Sequence, residues 1–235
     1  MKSFKLKICD IISHCCDVKT FRLKLDQDIF YKAGQYLSLF LTIGGRNVTK
    51  VFSISSSPTE KGYIDFTKKL TESDFSKALN ALSIGDEVTI RMPMGSFILE
   101  EGYQRIAFLS GGIGITPIRS MLKYATDLKL SKDFILLYSG KSPEYFIFKT
   151  DFAQMCQSNS HLKVIYVLTG ETREMFGYEP GYVNAGMIRE KIQDYRQRIF
   201  FVCGPPGMVK GMRQILTEEL GLSENRIVTE GFTGY

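Results

Sequence analysis

Near Tyr103 the spacing of apolar residues along the chain changes, and this change limits the possible folds more than any other feature. Before it, apolar and polar residues alternate in short runs: Phe4-Lys-Leu-Lys-Ile8, Thr20-Phe-Arg-Leu-Lys-Leu25 and Tyr63-Ile-Asp-Phe-Thr-Lys68. Alternation gives a strand one face for a core and one for water. Turn signals separate the runs at Ala33-Gly34, Gly44-Gly45, Ser57-Pro58 and Gly85-Asp86, and one helical stretch interrupts them at residues 74–82. Short antiparallel strands with one helix predict a small closed β-barrel of Greek-key type. After Tyr103 the runs are apolar on both faces: Arg105-Ile-Ala-Phe-Leu109, Phe134-Ile-Leu-Leu-Tyr138, Lys163-Val-Ile-Tyr-Val-Leu168 and Arg198-Ile-Phe-Phe-Val202. Strands apolar on both faces are covered on both sides, as in a parallel sheet. Helical spacing fills the intervals, at residues 117–128, 148–156, 185–195 and 206–220, and a last strand follows at Arg226-Ile-Val-Thr229. The expected organisation is two domains: 1–101, an antiparallel barrel, and 102–235, an α/β Rossmann-like parallel sheet.

Composition narrows the class of molecule. The 235 residues are 44% apolar and 23% charged, the balance of a chain with a packed core. No apolar run approaches a membrane-spanning length. The start, Met1-Lys-Ser-Phe-Lys-Leu-Lys7, lacks the apolar centre of a secretion signal, so an intracellular, cytoplasmic protein is expected. A net charge of +5 is below what a dedicated nucleic-acid binder shows. The basic excess lies in the first half, Lys2, Lys5, Lys7, Lys19 and Lys24 among it, and suits either solubility or an acidic protein partner. Cys9, Cys15, Cys16, Cys156 and Cys203, with His14 and His161, lack the spacings of a zinc or iron–sulfur site. No metal site is expected, and an iron–sulfur centre in the chemistry below would sit on another polypeptide.

Two segments point to a ligand. Ser110-Gly-Gly-Ile-Gly-Ile-Thr-Pro117 follows a buried strand and opens a helix. Glycines there allow a tight turn and let backbone N–H groups approach an anion, and the helix start adds favourable partial charge. A dinucleotide pyrophosphate fits, although the glycines do not follow G-x-G-x-x-G. Phe201-Val-Cys-Gly-Pro-Pro-Gly-Met208 repeats the strand-end setting and presents Cys203 either to a ligand crevice or as a small buried apolar residue. Lys50-Val-Phe-Ser-Ile-Ser-Ser-Ser-Pro58 combines a cation, a ring and hydroxyls on a strand. The helix start at residues 73–76 reads as an anion site or, more economically, as a Ser73 or Asp74 N-cap.

In this order the motifs resemble the ferredoxin–NADP reductase superfamily over essentially the whole chain. They are Ala33-Gly34-Gln35-Tyr36, Lys50-x-Phe52-Ser53, Ile84-Gly85-Asp86, Pro93-x-Gly95-x-Phe97, Gly111-Gly-x-Gly-Ile-Thr-Pro117, Cys203-Gly-Pro-Pro-Gly-Met208 and Glu230-Gly-Phe232. The resemblance implies a flavin-binding barrel, 1–101, and an NAD(P)-binding domain, 102–235. It implies that Lys50, Val51, Phe52, Ser53, Thr67, Lys68, Ser76 and Phe232 hold FAD, with Phe52 packed on the isoalloxazine and Ser53 near its N5. It implies that Gly111, Gly112, Gly114, Thr116, Lys141, Cys203, Gly204, Pro205 and Met208 hold NAD(P)H, and that Ser53, Cys203 and Glu230 are the catalytic residues. Lys141, with Arg173, would pair the 2′-phosphate of NADPH, or Lys141 is a solvated loop cation beside the ribose of either nucleotide. Phe232 or Tyr235 would cover the flavin's other face.

Two departures bear on the flavin. The family pattern is Arg-x-Tyr-Ser, where this chain has Lys50 and Phe52, and Ser73 stands where glycine is usual. Lysine is a point charge without arginine's bidentate fork, so the phosphate clamp is less constrained. The expected function is a flavin-dependent NAD(P)H oxidoreductase that passes electrons through FAD to a one-electron acceptor protein, iron–sulfur (ferredoxin) or flavodoxin-like. The alternatives are a free-flavin reductase and an electron-transfer subunit of a larger redox complex.

Overall fold

The computed structural model describes residues 2–15, 17–170 and 175–231. It separates into two compact units, one of Met1–Leu99 with Thr116–Tyr124, the other of Glu100–Ile115 with Ala125–Tyr235.

The first unit contains β1 (Lys2–Cys15), β2 (Val18–Lys24), β3 (Tyr36–Ile43), β4 (Arg46–Ser53), β5 (Tyr63–Lys69), α1 (Asp74–Asn80) and β6 (Glu87–Met94). Its antiparallel sheet runs β4-β3-β6-β1-β2-β5. The two outer strands meet where β4 ends: Ile54 bridges Phe66, and Ser55 N–H donates to the Asp65 carbonyl at 2.8 Å. The sheet therefore curls into the expected barrel, which leaves few open edges. The alternating runs face inward as anticipated, with Leu6, Ile8, Phe21, Leu23, Ile64 and Phe66 in one buried cluster. Phe75 and Leu79 of α1 complete this cluster. Each such side chain removed from water contributes about 1.5–3 kcal/mol.

The second unit contains β7 (Arg105–Gly111), the ends of α2 (Ile115–Asp127), β8 (Asp133–Gly140), α3 (Lys149–Ser158), β9 (Leu162–Leu168), β10 (Glu179–Pro180), α4 (Ala185–Lys191), β11 (Ile199–Gly204), α5 (Pro206–Gln214) and β12 (Ile227–Gly231). The order is β10-β9-β8-β7-β11-β12, with every pair parallel. Chain direction across the sheet reverses between β7 and β11, the position where such sheets open a ligand crevice. Two helices are shorter than their apolar spacing predicts. α4 stops because Ile192, fully buried, leaves helical geometry (φ −128°, ψ 69°), and a short 3₁₀ turn follows at Tyr195–Gln197. After α5 the chain widens into a π turn over Ile215–Glu219, closed by Leu220 N–H on the Ile215 carbonyl. Among the described residues no helix is long and apolar enough to cross a membrane.

Candidate functional site

In the barrel, β4 delivers its last four residues to different surroundings. Lys50 and Val51 are exposed, while Phe52 and Ser53 are buried. The Phe52 ring lies 5.1 Å from Phe66 and 6.0 Å from Phe75, so it belongs to the barrel core as well as to its rim. Ser53 Oγ is buried and has no hydrogen-bond partner among the described residues. On β5, Lys68 is 9% exposed, with its Nζ 5.9 Å from the Phe52 ring centroid. Burial, and then the charge of nearby Lys50, push the Lys68 ammonium below its ordinary range. Among the described residues no carboxylate pairs with either lysine. Two neighbouring cations without a counter-charge are costly unless an anion joins them.

Two of the sequence candidates in this unit have their polar groups engaged by the protein. Thr67 Oγ1 bonds Thr20 Oγ1 at 2.6 Å and Ser55 Oγ at 2.9 Å, and His14 Nε2 extends the chain to Thr20 at 2.7 Å. Ser76 N–H donates to Ser73 Oγ at 3.3 Å, and its hydroxyl meets Thr71 Oγ1 at 3.1 Å. Ser73 thus acts as the N-cap of α1, the more economical of the two readings.

In the α/β unit the parallel register lines up three side chains one residue before the strand ends. Ser110 of β7 pairs with Cys203 of β11, which pairs with Glu230 of β12. Residues in register on neighbouring strands share a face of the sheet. Ser110 Oγ and Glu230 Oε2 are buried and, among the described residues, without a partner. Burial alone raises the Glu230 carboxyl to about 7. Cys203 is fully buried, and burial followed by the Glu230 charge push its thiol well above its ordinary value. At neutral pH it is a neutral thiol, unlike a nucleophilic cysteine.

The glycine motifs close over this row. A Cβ on Gly114 would collide with the Cys203 carbonyl oxygen, so only glycine allows the 111–114 turn to rest on the end of β11. The Met208 sulfur covers the opposite flank, where it would overlap a Cβ on Gly111. Gly204 is buried and Pro205 exposed, just before α5. Gly112 is exposed with φ +53°, and Thr116 is buried in the first turn of α2. Lys141 is exposed immediately after β8 and makes no ion pair among the described residues. Phe232, Tyr235, Arg173 and Cys16 lie outside the described residues.

Sequence reading missed a buried polar lattice in the first unit. Arg119 holds Glu60 through two hydrogen bonds, one of 3.0 Å from Nη2, and donates to the Ser55 carbonyl at 3.1 Å. Ser120 Oγ donates to the Ser56 carbonyl. Burial alone would raise the Glu60 carboxyl, but the Arg119 guanidinium bonded to it brings it below its ordinary value. This lattice fixes residues 55–60, the segment directly after Ser53. The partners lie about 60 residues apart in sequence, so no local pattern announces them.

Known proteins share both halves of this arrangement. Residues 4–98 match the oxidoreductase FAD-binding domain, and residues 108–214 match the oxidoreductase NAD-binding domain. NADH-cytochrome b5 reductase 1 of Aspergillus oryzae is 30% identical over 97% of this chain and 82% of its own length. The chain belongs to the ferredoxin–NADP reductase superfamily. Its two matched domains are the FAD-binding and NAD-binding domains of oxidoreductases, and FAD and a nicotinamide nucleotide are the cofactors they take. A second relative of this superfamily member, the glycine betaine monooxygenase reductase subunit of Chromohalobacter salexigens, is 30% identical over 88% of this chain. The chain spans 58% of that subunit's length. A ferredoxin NADP+ reductase from Neisseria gonorrhoeae, solved with FAD and NADP, shares the fold at a TM-score of 0.85 and 20% identity, covering 98% of this chain and 99% of that one.

Proposed function

We propose that this chain is a flavin-dependent NAD(P)H oxidoreductase that delivers electrons singly to a separate acceptor protein, iron–sulfur or flavodoxin-like, with 1–101 as the flavin-binding domain and 102–235 as the nucleotide-binding domain. The observation that carries this reading is the pair of buried oxygens at Ser53 and Glu230, without a partner among the described residues, the hydroxyl and carboxyl that the family resemblance assigns to the reacting rings. A buried polar atom without a partner costs about 1–3 kcal/mol, and a bound ligand relieves that cost. Lys50 and Lys68, which pair with no carboxylate among the described residues, likewise suit an anionic cofactor.

The chemistry flavin would supply when bound is acceptance of a hydride from reduced nicotinamide, with its two electrons passed on singly and its proton released. Lys50 and Lys68 hold the flavin phosphates as point charges. Val51 and the rim of Phe52 offer an apolar wall, and Ser53 Oγ offers a hydrogen bond at the ring. The turn at residues 111–114 and Gly204 let backbone approach the nucleotide pyrophosphate, with Thr116 beside it, Pro205 and Met208 at the flank and Lys141 near the ribose. Cys203 keeps water from the strand end. Glu230, poised near neutrality, holds or gives up a proton at Oε2. Phe232 is proposed as a cover for the flavin. Operation in a reducing compartment such as the cytoplasm accords with free thiols at Cys9, Cys156 and Cys203.

The relatives' names supply acceptor candidates: a monooxygenase partner for one and cytochrome b5 for another. The test is to supply NADH or NADPH to the flavin-loaded protein with a ferredoxin, a flavodoxin, cytochrome b5 or free FMN in turn. Faster reduction of one of the proteins than of FMN supports the proposal. Turnover with free flavin alone contradicts it and supports a free-flavin reductase. That second reading is favoured by the exposure of Lys50 and by the Ser76 amide being held by Ser73.

A further inference from the structure

Among the described residues three buried side-chain oxygens lack a hydrogen-bond partner: Ser53 Oγ, Glu230 Oε2 and Ser110 Oγ. The function proposed above employs the first two and leaves the third idle. Ser110 is fully buried, and its backbone carbonyl is already taken by Ser139 Oγ at 2.8 Å, so only the hydroxyl is left unused. It stands beside Cys203 and one strand further from Glu230, on the same face of the sheet, immediately before the 111–114 turn.

We propose that Ser110 is a nucleotide-binding residue whose hydroxyl takes the carboxamide of the nicotinamide ring, an inference that rests on the pyridine-nucleotide reading of this sheet end. The surroundings select the group. The row Ser110, Cys203, Glu230 holds no cation, and Glu230 and the neutral Cys203 thiol disfavour a phosphate. A neutral group that both donates and accepts matches a serine hydroxyl, which does the same. The carboxamide is the part of a pyridine nucleotide with that character. The hydroxyl therefore contributes to recognition of the ring and not to the grip on the pyrophosphate, which the neighbouring turn provides through backbone.

The test is calorimetric and needs no turnover. Flavin-loaded wild type and Ser110→Ala are titrated with NAD+ and with ADP-ribose, which keeps the pyrophosphate and both riboses but lacks the pyridine ring. Removing one buried hydrogen bond is expected to weaken NAD+ roughly tenfold and to leave ADP-ribose within about twofold. Thermal unfolding of the ligand-free variant is expected to match or exceed wild type, because the lost hydroxyl bonds nothing among the described residues. Equal affinities of the two proteins for NAD+, equal weakening of both ligands, or a destabilised ligand-free variant each overturn the assignment. Failure of wild type to bind either ligand instead overturns the nucleotide reading on which it rests.

Discussion

Replacing Glu230 by Gln should flatten the dependence of stability on pH. The carboxyl has no partner for Oε2 among the described residues, and burial raises its pKa from the ordinary 4.5 to about 7. Every tenfold change in proton affinity corresponds to about 1.4 kcal/mol, so the ionised side chain destabilises the fold by up to about 3 kcal/mol. The sign follows from proton binding. Between pH 4.5 and 7 the folded chain keeps a proton that the unfolded chain has released, so stability falls as pH rises through that window. Above it the whole penalty applies, and below it none does. Glutamine keeps the shape and removes the charge. Urea unfolding of both proteins from about pH 4.5 to about pH 8 should show the variant gaining up to about 3 kcal/mol on wild type across the series. The comparison of slopes cancels whatever the amide itself costs by lacking a partner. Parallel pH profiles would refute the reasoning, because they would mean that Glu230 is solvated or paired in solution.

Lys68→Met removes a buried cation that has no carboxylate partner among the described residues; flavin affinity, followed by flavin fluorescence, should drop roughly tenfold or more, while the flavin-free protein becomes no less stable. Gly114→Ala drives a methyl group against the Cys203 carbonyl and should cost about 1–3 kcal/mol in denaturant unfolding, with nucleotide affinity falling alongside. Arg119→Met leaves the Glu60 carboxylate buried without its guanidinium, so a loss of about 3–5 kcal/mol is expected, much of it recovered in the double variant with Glu60→Gln.

The elements were legible where burial follows a simple period. The run Phe4-Lys-Leu-Lys-Ile8 alternates because one face of β1 meets the barrel core, and Phe134-Ile-Leu-Leu-Tyr138 is apolar throughout because β8 lies inside the parallel sheet. Ser53, Cys203 and Glu230 stand out as candidates through short motifs, and each sits near the end of a strand. Ser110 stood in plain view within its motif, yet its idle hydroxyl emerges only from the register that sets it beside Cys203. Thr67 shows the opposite case. The family resemblance offers it as a flavin contact, while the closing of the barrel brings Thr20 and Ser55 to its hydroxyl, which no local pattern announces. The Arg119–Glu60 pair joins a helix to a loop far away in sequence, and only the folded chain reveals it.

The most direct measurement is an anaerobic titration of the protein, loaded with one FAD per chain, with NADH and separately with NADPH. The account predicts that one equivalent of at least one nucleotide bleaches the flavin absorbance completely. A protein that binds both cofactors while its flavin stays oxidised contradicts it.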